Sequence, residues 1–117
     1  MTPAPIKPAV SIAELEKLDI RVGTIREVVN VRGSDKLVQL IVSFGDHQRS
    51  ILAGLKRERQ KPSVLVGKQA LFVVNLTPRK MAGLVSEGML FDIGYPDGVV
   101  PVLATPEMPV PDGCRAG

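Results

Sequence analysis

The chain has one cysteine, Cys114, one histidine, His47, and no tryptophan, and its aromatics are three Phe and one Tyr. A single cysteine cannot close an internal disulfide, and a structural metal site wants several Cys or His ligands. One histidine also leaves Ser-His and Cys-His catalysis without a working set, so no catalytic residues, no metal and no cofactor are expected. No apolar run approaches the roughly 20 residues that span a bilayer, which removes the membrane as a partner. The start, Met1-Thr2-Pro3-Ala4-Pro5-Ile6-Lys7-Pro8, has no apolar h-region of a secretory signal. The expectation is a cytoplasmic, non-enzymatic binding module, and 117 residues suit a single core.

What is plentiful is β-branched: sixteen Val and seven Ile bias the chain toward strands. Residues 1–10 are proline-rich and read as a flexible tail, leaving residues 11–117 as one domain. Ser11-Ile12-Ala13-Glu14 fits a capping box, so residues 12–17 read as a short helix with Ile12, Leu15 and Leu18 laid against a core. Ile20 to Val31 gives a long first strand in which Gly23 permits a bulge or a sharp coil. Lys36 to Phe44 alternates with period two, and Val38, Leu40, Val42 and Phe44 share one face. Gly45-Asp46-His47-Gln48 connects it to a returning strand over 49–54. Ala70 to Asn75 is a continuous apolar run, expected of a strand buried on both faces. Gly88 to Ile93 and Val99 to Leu103 read as further strands. The set predicts an all-β, five-stranded OB-type barrel with a short N-terminal helix and a C-terminal β extension.

Charge is unevenly placed. Lys56-Arg57-Glu58-Arg59-Gln60-Lys61 holds four cations against one anion, leaving eleven of each sign elsewhere. A basic segment on an otherwise neutral domain is the footprint of a phosphate-binding surface, or simply a solvated connection. Phe44, Phe72, Phe91 and Tyr95 fall in strand-like runs and are expected inside. That leaves no aromatic platform for stacking single-stranded bases, so any nucleic acid bound here would be recognised by shape and backbone and not by base stacking.

Three motifs in order then carry a resemblance. Asp19-Ile20-Arg21-Val22-Gly23, Asp35-Lys36-Leu37 and the block Asn75-Leu76-Thr77-Pro78-Arg79-Lys80-Met81-Ala82-Gly83-Leu84-Val85-Ser86-Glu87-Gly88-Met89-Leu90 resemble the tRNA-binding domain family. That family includes C-terminal domains of methionyl-tRNA synthetases, free-standing dimeric tRNA-binding proteins and the export-related chaperone CsaA. Val31-Arg32-Gly33-Ser34 departs from the His-Pro-Asn-Ala common at that point.

The resemblance implies a groove that holds tRNA at Asn75, Arg79, Lys80, Ser86, Met89 and Lys36, supported by the basic segment through Lys56, Arg57, Arg59 and Lys61. Arg79 can fork onto a phosphate while Lys80 acts as a point charge. Asn75 and Ser86 are expected as exposed polar contacts, although Asn75 equally suits a strand-end cap and Met89 equally suits the core. Glu87 is expected to orient Arg79 or Lys80, or to accept from a base. The function implied is a free-standing tRNA-binding protein with little preference among isoacceptors. The alternative is a CsaA-like chaperone for unfolded preproteins. A homodimer built from the chain ends is expected, with an aminoacyl-tRNA synthetase or a preprotein as further partner.

Overall fold

The computed structural model describes residues 2–117. Ser11 and Glu14 exchange the reciprocal bonds of a capping box and start helix α1, Ile12–Leu15, which ends two residues short of the expected 17. Ile12, Leu15 and Leu18 are exposed, so the helix does not lie against its own barrel.

Strand β1, Ile20–Asn30, is the spine. Its first half pairs with β4, Gln69–Val73, and its second half with β2, Val38–Ser43. The strand coils as its pairing passes from one neighbour to the other, as closure of a small barrel requires. Gly23 allows the coil because an added Cβ would stand 2.5 Å from Val42 Cγ1 and 2.8 Å from Phe44 Cε1. The register shift falls later, between Ile25 and Glu27, so the bulge lies beyond the glycine. β2 continues into β3, Gln48–Ala53, in a tight hairpin.

A 3₁₀ turn at Pro62–Leu65 connects to β4. A small hairpin then projects from the barrel, β5 at Arg79–Met81 and β6 at Leu84–Ser86. Its two-residue turn puts both Ala82 (φ 49°) and Gly83 (φ 79°) in the left-handed region, as a type I′ hairpin requires. The expected strand over 88–93 is divided into β7, Met89–Leu90, paired with β4, and β8, Asp92–Ile93, paired with β9, Val102–Leu103. The C-terminal strand β10, Arg115–Ala116, lies along β1.

The sheet order β3-β2-β1-β4-β7 is nearly closed into a five-stranded all-β barrel. Closure between β3 and the end of β6 uses the Glu87 N–H on Ser50 O (2.8 Å) and the Leu52 N–H on Ser86 Oγ (3.0 Å). The alternating face of β2 is buried as expected, and Ile25, Leu40, Val42, Ile51, Leu55 and Phe72 fill the centre. A satellite cluster of Val31, Leu37 and Leu52, against which Met81 and Leu84 pack, seats the projecting hairpin. Phe44 and Phe72 meet edge to face in the core, but Tyr95 is 70% exposed, against the expectation that every aromatic is needed inside.

The chain's end packs onto its own barrel. Thr24 Oγ1 donates to Asp112 Oδ1 (2.6 Å), Gln69 Nε2 to Val110 O (2.7 Å), and Val22 and residues 113–114 exchange backbone bonds. Val99, Val100 and Val102 remain exposed. No helix among the described residues is long and apolar enough to cross a membrane.

Candidate nucleic-acid interface

In a barrel of this topology, the loop after β1 and the long loop after β4 flank one face. Here they are residues 31–37 and 74–88, which contain two of the three motifs. Between them runs a groove. Its narrow end, about 190 Å³, is lined by Leu52, Leu76, Thr77, Arg79, Met81, Ser86, Gly88 and Met89. A wider hollow of about 580 Å³ continues it past Lys36, Arg57, Glu58, Asp92, Tyr95 and Pro101, sharing Leu52, Arg79, Met81 and Met89. The floor is apolar, and the rim carries Lys36, Arg57 and Arg79 together with the acids Glu58 and Asp92.

Alternation along β5 decides which hairpin side chains enter. Arg79 and Met81 share a face and line both hollows, while Lys80 projects from the opposite face. Arg79, Lys80 and Lys36 are exposed and make no side-chain hydrogen bond or ion pair within the described residues. Met89 is 44% exposed at the floor of the groove, not in the core.

Two expected contacts have other duties. Ser86 is buried at 5% exposure, and its hydroxyl accepts from Leu52 N–H and donates to Gly88 O (3.0 Å). It is a closing bolt of the barrel, not an exposed polar contact. Asn75 is exposed, yet its amide bridges backbone, with Oδ1 accepting from Asp19 N–H and Nδ2 donating to Lys17 O, both at 2.7 Å. That is the strand-end cap, tying β4 to the segment after α1. Glu87 does not orient the hairpin cations either. Its Oε1 accepts from the Ser50 N–H at 2.9 Å.

The basic segment is largely engaged. Lys56 Nζ donates to Val31 O (2.9 Å) and Ser34 O (2.6 Å), stapling the loop after β1. Arg57 pairs with Asp35, and the guanidinium holds that carboxyl below its usual range. Arg59 lies against Glu58 (3.1 Å), whose own carboxyl is pushed up, first by burial and then by the charge of Asp92. Lys61 is exposed and unpaired among the described residues. Sequence reasoning passed over Arg49 and Tyr95. Arg49 sits in an alternating strand like any surface arginine, and Tyr95 follows an apolar run that looks like strand interior.

The model of the family described as "Putative tRNA binding domain" matches residues 20–115. The chain is 44% identical over 109 residues to the methionine–tRNA ligase of Parabacteroides distasonis, covering 93% of this chain and 16% of that protein. It is 42% identical over 108 residues to the ligase of Methanothrix thermoacetophila, covering 92% of this chain and again 16% of that protein. Among solved structures it is similar to a MetRS related protein from Pyrococcus horikoshii, at TM-score 0.87 and 33% identity, covering 95% of this chain and 100% of that one. It is also similar to the chaperone CsaA of Bacillus anthracis, at TM-score 0.81 and 27% identity, covering 94% and 100%.

Proposed function

Because this chain belongs to the tRNA-binding domain family, we propose that it holds folded tRNA in the groove between the loop after β1 and the β5–β6 hairpin. It does so by shape and backbone contacts, with little preference among isoacceptors, as a free-standing binding protein in the cytoplasm and without a catalytic role of its own. The observation that carries this reading is the groove, where Lys36 and Arg79 stand exposed and unpaired beside an apolar floor, with Lys80 exposed and unpaired on the outer face of the same hairpin. Cations whose donors are free neutralise phosphates, and Met81 and Met89 offer adaptable surface to a sugar or base.

The protein acts as a homodimer. Ile12, Leu15 and Leu18 near one end, and Ile93, Val99, Val100 and Val102 toward the other, are apolar and exposed. Soluble monomers rarely leave that much apolar surface uncovered, and a two-fold arrangement would bury it on both copies. Sedimentation equilibrium at micromolar protein tests this, and a mass that stays near 12.6 kDa as concentration rises rejects it.

Filter binding of bulk tRNA, duplex RNA and an unfolded polypeptide tests the main reading. With about three phosphate contacts, log K should fall by roughly 2–3 units per decade of salt. A salt-independent tRNA affinity rejects the groove. Preference for the unfolded polypeptide over tRNA would favour the chaperone alternative that the likeness to CsaA raises.

A further inference from the structure

The loop that carries Arg79 and Lys80 leaves the barrel at Val74 and returns at Glu87. The β4–β7 ladder that joins its two sides ends where Val73 pairs with Met89, and backbone pairing resumes only in the hairpin, where Arg79 pairs with Ser86. One step further out, a single side chain takes over. Arg49, on β3, donates from Nη1 to both Val74 O (2.6 Å) and Glu87 O (3.1 Å), so one nitrogen spends its two hydrogens on the two ends of the loop. The guanidinium is itself aimed from behind, since its Nε donates to His47 Nε2 (3.1 Å), and the His47 ring is stacked on Phe44. Three of the five N–H donors are thus committed inside the protein.

We propose that Arg49 is a positioning residue for the tRNA groove, fastening both ends of the 75–86 loop so that its cations stand at a fixed place over the floor. The proposal rests on the tRNA reading for its functional half and on geometry alone for its structural half. Other ties to the loop hold one side each. Asn75 fastens the departing strand to residues 17 and 19, and Ser86 and Glu87 fasten the returning one to β3. Arg49 is the side chain that joins the two. A loop with its ends held apart from their ladder must be ordered at the moment of binding, and that ordering is subtracted from affinity. A cation that touches phosphate alters the salt slope, whereas one that positions other cations alters the affinity and leaves the slope unchanged.

The test uses Arg49→Met and Arg49→Lys in the full chain, with two readouts. The first is amide exchange across residues 75–86 without RNA, with the β1–β2 core amides as reference. Loosening of the tie should speed loop exchange by about tenfold in Arg49→Met, with the core amides unmoved. The second is the affinity for bulk tRNA as salt is varied. Arg49→Met should weaken binding by about 3–10-fold at an unchanged slope, while Arg49→Lys, which keeps a donor for one carbonyl, should recover part of both losses. A slope shallower by about one with unaltered loop exchange would make Arg49 a direct phosphate contact and overturn the proposal. Unchanged exchange and unchanged affinity would also overturn it. Should Arg49→Met not fold, Arg49→Lys is scored on the same two readouts against the parent. If the parent itself fails to bind tRNA, the functional reading falls, while the exchange arm still decides whether Arg49 holds the loop.

Discussion

In the segment from Lys56 to Lys61, three of the four cations are committed within the protein: Lys56 to two carbonyls, Arg57 to Asp35 and Arg59 to Glu58. In the β5–β6 hairpin, Arg79 and Lys80 are exposed with no such partner among the described residues. The segment is the denser cluster in sequence, yet the hairpin is the better equipped to meet a phosphate. The difference lies in free donors, not in charge count. A lysine giving two of its three protons to carbonyls is held in place with one donor left, whereas an unpaired arginine has its whole fork free and gives up only water.

The sharpest break of this contrast is the double variant Arg79→Ala/Lys80→Ala. If both touch phosphate, tRNA affinity at 0.1 M salt should fall by roughly 50-fold and the salt slope should become shallower by about two. Both side chains are exposed, so the melting temperature should stay where it was. An unchanged slope would move the RNA site away from the hairpin.

Lys56→Met should show the opposite pattern. It removes two charge-assisted bonds from a half-buried site and frees the loop of residues 31–37, so stability should fall by about 2 kcal/mol in urea titration. The tRNA salt slope should remain that of the parent. A slope shallower by about one with stability intact would return Lys56 to the phosphate-binding surface.

The barrel was legible because its signals were of the strong kind. Strict alternation over β2 gave the buried face correctly, and the apolar run before Asn75 located β4. The projecting hairpin escaped notice because its turn, Ala82-Gly83, has alanine where asparagine or aspartate would advertise a type I′ turn. The segment 88–93 reads as one strand because Met89, Leu90, Phe91 and Ile93 are apolar and only Asp92 interrupts them. What divides it is a change of partner, from β4 to β9, and pairing is not written in composition. At the groove, free cations and tied cations look alike in sequence. Whether Ser86 is a contact or a bolt depends on Leu52, and that partner is far away in the chain.

Asp35→Asn gives the smallest effect and the most direct conversion of one kind of cation into the other. Arg57 lines the wider hollow but is neutralised by Asp35. Removing the carboxylate should release the guanidinium to the groove, raising tRNA affinity a few-fold and steepening the salt slope by up to one. The same variant carries an internal control in pH. Because Arg57 lowers the Asp35 carboxyl, the pair's contribution is present above the usual aspartate value of about 3.9 and is lost as pH falls through the lower folded value. Melting profiles of parent and variant should therefore run parallel from neutral pH down to about 4 and converge below it. Convergence at acid pH with no gain in tRNA affinity would mean that the pair forms but that Arg57 does not reach the RNA. A gain in affinity would show that what separates the two basic regions is their partners alone.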